Sequence, residues 1–214
     1  AHTKYQCEVS EEVMNGIGEL FAKAERIFDP IAILDSQTSG LCDELEHGRN
    51  QQPLTGKWNS IGAFQFAFED LGLNPHTITQ DELAGGWLAQ HGVKLLALPA
   101  AWSMGEAEAK AIREFVQAGG TVVADVRPAT RELNGNRRAQ GLLDDVFGIT
   151  GDLSGDSQRV RGVLVGKAAA AAAELEFGEA LADPRAKPAT ATANGKVGEA
   201  ATIFANQFGQ GRAF

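Results

Sequence analysis

Cysteine is scarce in this chain. Its 214 residues include two cysteines, Cys7 and Cys42, which lie far apart in the sequence. Two thiols cannot build the multiple cross-links of small disulfide-rich secreted domains, so the fold depends on a hydrophobic core. A chain of this length buries enough apolar surface for such a core. The cysteine content does not indicate a cellular compartment.

The chain also lacks long hydrophobic runs and an excess of positive charge. No stretch approaches the roughly 18 consecutive apolar residues of a membrane-spanning helix, and residues 1–9 show no signal peptide. Lys and Arg total 19 against 28 Asp and Glu, which gives a net charge of −9. An acidic surface repels nucleic-acid backbones, and no basic amphipathic helix favours a lipid surface. We expect a soluble protein that binds neither nucleic acid nor membrane, while its localisation stays open.

Histidine is rare, and the last of the four, His91, precedes the segment where a nucleophile would be expected. An apolar run at 93–98 is followed by Pro99-Ala100-Ala101-Trp102-Ser103, whereas a nucleophile elbow places Ser or Cys at such a turn. A catalytic triad would also need a histidine and an acid later in the chain. The glycine pairs Gly16/Gly18 and Gly209/Gly211 do not form a dinucleotide fingerprint. We therefore predict no catalytic residue and no cofactor in this chain.

Short apolar runs alternate with helical patterns. The runs at 31–35, 76–79, 93–98 and 121–125 are predicted to be strands, and the apolar residues of 106–118 have helical spacing. A strand, a helix and a second strand in this order form a βαβ unit, and a series of such units gives a parallel sheet. The sequence therefore predicts an α/β fold with a doubly wound, flavodoxin-like parallel sheet and helices on both faces.

Other segments carry weaker patterns. Apolar residues at helical spacing predict an amphipathic helix over 10–28, with Ser10 as its N-cap. We interpret 36–56 as a long polar loop. The alanines at 168–173 favour helix by propensity, but glycines on both sides limit the prediction to a short helix or a loop.

Candidate ligand residues follow the predicted strands, because open α/β sheets bind ligands at the carboxyl ends of their strands. Asp35 is either a general base or an acceptor that fixes a loop. Glu46 and His47 belong to an acidic segment that is either a metal site or a solvated loop, and its spacing matches no established metal motif. We therefore predict no metal site. Ser103 is either a nucleophile or the N-cap of the next helix. Arg127 lies in a cluster of arginines that binds an anion or forms a surface or subunit contact.

Several segments resemble the middle domain of family 42 β-galactosidases. They are DPIAILDS at 29–36, DLGL at 70–73, AIREFVQAGGTVVAD at 111–125, LDDVFGI at 143–149 and NQFGQGRAF at 206–214. These pieces extend over nearly the whole chain. The piece FVQAGGTVVAD is moderately specific, because related amidotransferase-like domains share it.

The resemblance implies a class I glutamine amidotransferase-like fold that lacks the amidotransferase cysteine and serves in trimerisation. It implies that the sugar-cleaving carboxylates belong to a barrel domain that precedes this region. Residues 1–28 would then be the helix that connects to the barrel. Residues 29–214 would be the amidotransferase-like domain, truncated before its last strand. The expected partners are further copies of the chain and the barrel domain of the parent protein.

Trp87, Arg127 and Arg131 are the interface candidates that go with this resemblance. Aromatic residues and arginine are enriched at the centres of protein interfaces. Trp87 follows Gly85-Gly86, where a loop or short helix would expose it. In the alternative interpretation, Trp87 covers the edge of the sheet.

The sequence thus predicts a non-catalytic assembly domain of a β-galactosidase-like glycoside hydrolase, in which the parent protein and not this chain alone is the enzyme. A second hypothesis is a stand-alone amidotransferase-like module that binds a sugar or other small ligand. A third is an enzyme that uses Asp35 and the segment 43–47. The substrate of the parent and the number of subunits stay open.

Overall fold

The computed structural model of the chain describes residues 2–47, 57–151, 153, 158–168, 171–182, 186–197 and 200–214. The helices of this part are α1 (His2–Asn15), α2 (Ile17–Lys23), α3 (Gln37–His47), α4 (Lys57–Asp70), α5 (Gln80–Ala84), α6 (Trp87–Gln90), α7 (Glu106–Gln117) and α8 (Asp144–Phe147). The strands are β1 (Ile31–Asp35), β2 (His76–Thr79), β3 (Leu95–Leu98), β4 (Thr121–Ala124), β5 (Ile149–Thr150), β6 (Gln158–Ala168), β7 (Ala171–Ala182), β8 (Lys187–Pro188), β9 (Thr192–Val197), β10 (Ala200–Phe208) and β11 (Gly211–Ala213).

Five strands form a parallel sheet in the order β2-β1-β3-β4-β11. Each neighbouring pair runs parallel, with Ile33 opposite Thr77 and Ala97, and Val122 opposite Leu96 and Ala213. The central strands β1 and β3 are short apolar runs whose residues are almost all buried, as in parallel strands covered on both faces. This strand order is that of flavodoxin-like proteins, so the predicted fold class is confirmed.

Helices cover the two faces of the parallel sheet. The connection from β1 to β2 contains α3 and α4, and the connection from β2 to β3 contains α5 and α6. These connections run in opposite directions along the sheet, so a right-handed crossover puts their helices on opposite faces. The helix α7 contacts α5 and β4, and it buries Ala109, Ile112 and Val116.

The antiparallel strands extend the sheet beyond β11, in the order β10-β9-β6-β7. Ala168 of β6 pairs with Ala171 of β7. The alanines at 168 and 171–173 therefore lie in strands, and the prediction of a short helix or loop there was wrong. Cross-strand pairing over both long strands outweighs the modest helix propensity of alanine.

Two predictions for the N-terminal third need correction. The helix predicted over 10–28 begins earlier and is interrupted at Gly16, whose φ of −124° and ψ of −105° are not helical, so Ser10 lies inside α1 and is not an N-cap. The helical region also ends at Lys23, and 24–28 is not helical. The helix α3 occupies 37–47 of the predicted loop, while 48–56 lies outside the described residues. None of the described helices is both long and apolar enough to cross a membrane.

Gly211 allows β11 to approach the end of α7. A Cβ atom at this position would overlap the backbone carbonyl oxygens of Val116 and Gly120. The amide of Arg212 donates to the carbonyl of Gly120 at 3.2 Å, which fixes the start of β11 beside β4. Backbone atoms cannot move away from an added methyl group as a flexible side chain can, so this position requires glycine.

We predict that Gly211→Ala lowers the free energy of unfolding by about 2 kcal/mol or more, because the added methyl overpacks a backbone contact. Gly62→Ala is the matched control. Its new Cβ would meet Phe66 at 3.8 Å, and alanine favours the helix α4 by about 1 kcal/mol over glycine. Urea unfolding of both variants measures the difference, and equal stabilities would contradict the role assigned to Gly211.

Candidate functional site

The crevice where doubly wound sheets bind ligands lies at the carboxyl ends of β1 and β3, because the connections from these two strands lead to opposite sides of the sheet. Asp35 is the last residue of β1 and is half-buried. The turn after β3 begins at Pro99, and Asp125 follows β4. These segments are the ones that the sequence analysis selected.

The turn after β3 has the backbone of a nucleophile elbow but lacks a nucleophile. Ala100 has a positive φ of 40°, which is strained for a residue with a Cβ, and it is fully buried. Its amide donates to Oδ1 of Asp125 at 2.8 Å. A methyl group can neither attack a substrate nor exchange a proton, so the strained residue of this turn has no reactive group.

Ser103 is a structural residue in this crevice. It is fully buried, and its hydroxyl donates to the carbonyl of Glu132 at 2.8 Å. Gly105, not Ser103, precedes α7 as the N-cap, and it makes no side-chain capping bond. The geometry therefore supports neither alternative considered for Ser103, since its hydroxyl is neither exposed to a substrate nor bonded to the start of the helix.

Buried hydroxyls join the start of α3 to the turn after β3. Ser36 Oγ donates to Ser39 Oγ at 2.7 Å, and the amide of Ser103 donates to Ser39 Oγ at 3.0 Å. Ser39 Oγ in turn donates to the carbonyl of Ser103 at 3.2 Å. These groups satisfy one another, as buried polar groups require. The crevice is therefore held by a polar network that sequence analysis missed, although the Ser-rich start of α3 was visible.

Asp125 contacts the strained turn from the neighbouring strand. Burial of its carboxyl raises the pKa of Asp125, and the hydrogen bonds from Ser60 and from the amide of Ala100 oppose this shift. Although the residue as a whole is exposed, its two oxygens accept from these protein groups. Its carboxylate fixes the elbow backbone and the helix α4.

Glu46 and His47 lie in the last turn of α3, and their side chains are outside the described ones. Their backbone is helical, so the segment 43–47 is not the loop that the sequence suggested. In the described part of the chain, no group of three or more His, Cys, Asp or Glu side chains is arranged to hold a metal ion.

Arg127 is buried in an ion pair and is not an open anion site. Its Nε and Nη2 donate to the two carboxylate oxygens of Asp144 at 2.9 and 2.7 Å. The side chains are 4% and 15% exposed. Asp144 also accepts from the amide of Gly141 at 2.9 Å, so the pair ties the segment after β4 to the start of α8. Arg131 is half-buried and donates to the carbonyl of Gly135 at 2.9 Å.

Trp87 belongs to an aromatic cluster beside the edge strand β2. Its ring stacks on His91 with centroids 3.9 Å apart, and its edge meets His76 at 4.8 Å. Trp87 is half-buried and packs against the core. It lies near the amino end of β2, whereas Arg127 follows the carboxyl end of β4, so the structure does not bring these two interface candidates together.

A polar cleft of about 280 Å³ opens beside this cluster. Arg26 and Phe28 line it from the segment before β1, Gln65 and Glu69 from α4, and Asn74 from the segment before β2. Sequence analysis did not identify these residues, because they converge from three separate segments and no local motif connects them.

No protein-family model matches the sequence, and no curated protein matches it either. Its fold occurs in solved β-galactosidases. The enzyme from Bacillus circulans sp. alkalophilus has a TM-score of 0.68 at 18% identity, over 86% of this chain and 27% of that chain. The enzyme from the haloarchaeon Halorubrum lacusprofundi has a TM-score of 0.69 at 18% identity, over 89% and 28%. Gan42B, a GH42 β-galactosidase from G. stearothermophilus, has a TM-score of 0.63 at 18% identity, over 88% and 27%.

This chain has the fold of one segment of GH42 β-galactosidases. It spans little more than a quarter of the length of each of these enzymes. The resemblance inferred from sequence is thus confirmed at the level of the fold. Structural similarity at 18% identity shows the fold alone and not the function.

We predict that Asp144→Asn lowers the free energy of unfolding by about 3–5 kcal/mol, because it removes the negative charge from a buried, two-point ion pair with Arg127. The neighbouring Asp145→Asn is the control. Asp145 pairs with Arg113 at 2.9 Å, but the two side chains are 51% and 32% exposed, so the loss stays below about 1 kcal/mol. Denaturant unfolding at neutral pH compares them, and similar losses in both would refute the structural role of the Arg127 pair.

Proposed function

We propose that this chain is a non-catalytic domain of a β-galactosidase-like glycoside hydrolase and that it holds subunits of the parent protein together. The observation that carries the proposal is the fold match, which covers 86–89% of this chain but 27–28% of each enzyme. The rest of each enzyme is long enough for a separate catalytic domain. We propose the barrel of such a parent as the covalent neighbour of this chain.

Among the described residues, the lack of a nucleophile at the turn after β3 supports a non-catalytic role. The elbow position holds the methyl group of Ala100, and the nearby Ser103 hydroxyl is buried and bonded to a backbone carbonyl. Asp125 is bonded to Ser60 and to the elbow amide. Each described polar group at the turn therefore stabilises the turn itself.

Exposed apolar side chains on α2 support a role in assembly. Ile17, Leu20 and Phe21 are 63%, 68% and 73% exposed, and α2 has no buried residue. The three positions fall on one side of the helix. Contiguous apolar patches on a protein surface mark contacts with other proteins. We propose that 1–28 connects the domain to its parent, that 29–214 belongs to the domain proper, and that α2 contacts another copy in a trimer.

We predict that the chain self-associates and that Leu20→Glu weakens the association about tenfold or more, because a carboxylate in an apolar contact must be desolvated. Ala22→Glu is the matched control, since it adds the same charge to the opposite side of α2. Light scattering over a wide concentration range gives the mass of each variant.

A chain that stays monomeric at the highest concentration would contradict the assembly role. If both variants form the same oligomer as the wild type, the assembly role stands but the contact is not made by α2. Trp87 and Arg131 are then the candidates for the contact surface. Because Trp87 packs against His76 and His91, Trp87→Ala would also alter the fold, and the α2 variants give the cleaner test.

The polar cleft favours a second candidate function, a module that binds a sugar or other small polar ligand. The guanidinium of Arg26, the carboxylate of Glu69 and the amides of Gln65 and Asn74 line one space of about 280 Å³. Donors and acceptors in such a mixture suit neutral hydroxyl groups, each of which both donates and accepts. An anion would meet the charge of Glu69, and an apolar ligand would exclude water from these groups without replacing its hydrogen bonds.

For this candidate we predict that galactose or lactose perturbs the amide resonances of Asn74, His76 and Thr77 in NMR titrations and that Glu69→Gln weakens binding about tenfold, as loss of a charged hydrogen bond does. Asp70→Asn, next in sequence but outside the cleft lining, serves as control. Resonances that stay unperturbed at high sugar concentration would exclude this function.

A further inference from the structure

The N-terminal arm, formed by α1 and α2, joins the parallel sheet through a short segment before β1. One backbone–backbone hydrogen bond and three hydrogen bonds that involve side chains fix this segment to Asn74, just before β2. The amide of Asp29 donates to the carbonyl of Asn74 at 2.9 Å, and the amide of Asn74 donates to Oδ2 of Asp29 at 2.7 Å. The side-chain amide of Asn74 donates to the carbonyl of Ile27, and Arg26 Nη2 donates to Asn74 Oδ1 at 2.8 Å.

Stacked side chains continue this connection. Phe28 stacks on His76 with ring centroids 3.9 Å apart and an interplanar angle of 20°. The guanidinium of Arg26 lies 4.8 Å from the centroid of Phe28. We call these five residues, Arg26, Phe28, Asp29, Asn74 and His76, the arm seam. By contrast, the described side chains of α1 and α2 are almost all exposed, so the arm seam determines where the arm lies.

His76 is the titratable group at the centre of the arm seam. His91 lies beyond it, with its ring 6.4 Å from that of His76, and Arg26 lies on the side of Phe28. The acidic groups nearby are Asp29 of the arm seam, Glu69 of α4 and Glu82 of α5. The carboxylate of Asp29 accepts from the amide of Asn74, and that of Glu82 is bonded to Thr79. Glu69 and Glu82 are exposed and solvated, so they compensate an imidazolium weakly.

We propose that the arm seam is an acid-sensitive hinge, which holds the N-terminal arm in place at neutral pH and releases it once His76 is protonated. The stack on Phe28 and the edge contact with Trp87 bury part of the His76 ring, and protonation would place a second cation beside Arg26. Release exposes the ring to water, where the imidazolium is fully hydrated. The proposal does not depend on the parent enzyme or on self-association.

The direction of the pH effect follows from the environment of the ring. Burial, with the positive charges of His91 and Arg26, lowers the pKa of His76 below its ordinary range. In the released state the contacts with Phe28 and Arg26 are lost, so the pKa of the imidazole rises toward its ordinary value of about 6.5. The closed state, in which the arm is held in place, is therefore fully favoured above about pH 6.5. Its population decreases as the pH falls toward the lowered pKa of His76. Each pKa unit between the two states changes the ratio of closed to released arm about tenfold.

The two cysteines allow a direct test on the full chain. Cys7 in α1 is exposed and Cys42 is buried, so a maleimide fluorophore labels the arm selectively. We expect the fluorescence anisotropy of the label to fall between pH 7.5 and pH 5 in dilute protein, as the arm gains rotational freedom. Far-UV circular dichroism over the same range should stay constant, because the sheet does not unfold.

Two variants isolate His76. His76→Phe keeps an aromatic ring on Phe28 without a titratable group, and His76→Gln removes both the ring and the charge. Both should abolish the fall in anisotropy, whereas His91→Gln should keep it with its midpoint at higher pH. A wild-type anisotropy that does not change with pH, a fall of equal size in both His76 variants, or a parallel loss of circular dichroism would each overturn the proposal.

Discussion

The pairing of β11 with β4 joins the two parts of the sheet. On one side of this pair lie the parallel strands β2, β1 and β3, and on the other lie the antiparallel strands that begin with β10. The pairing depends on close approach of Gly211 to the carbonyls of Val116 and Gly120, where no larger residue fits. A further buried contact, the ion pair of Arg127 with Asp144, ties the segment after β4 to α8, which itself packs on β10. Both contacts join segments that are distant in sequence, so the position of the antiparallel strands depends on them.

Sequence predicted the parallel part of the sheet because each of its strands and helices has a local sequence pattern. The apolar run Ile31–Leu34, the helical spacing of Ala109, Ile112 and Val116, and the glycines after α7 each specify one element without reference to the rest. The alanines at 168 and 171–173 show the opposite case. Their propensity favours helix, but pairing of β6 with β7 decides their conformation, and such pairing leaves no short-range pattern. Gly16 is an intermediate case, since one residue breaks a pattern that otherwise continues as a single helix.

Sequence predicted the site residues that lie at the ends of strands, but it did not predict their partners elsewhere in the chain. Asp35, Ala100 and Asp125 follow from the rule that such sheets bind ligands at the carboxyl ends of their strands, and the absence of a nucleophile is visible in the sequence itself. The partners of these residues are not visible there. Ser39 meets Ser103, and Arg127 meets Asp144, only after the chain has folded. The arm seam likewise combines Phe28 and His76, which are distant in sequence and meet only in the folded chain.

The place of β11 also bears on how the chain folds. Thr121 of β4 pairs with Arg212 of β11, and the whole antiparallel excursion lies between them in sequence. Contacts between such distant residues form slowly, because the intervening loop loses much entropy when it closes. The strands β1 to β4 can therefore assemble first, with one side of β4 unpaired until the chain returns. During that interval β4 presents open backbone groups to any other extended segment, so the order of strand pairing governs the competition between folding and aggregation.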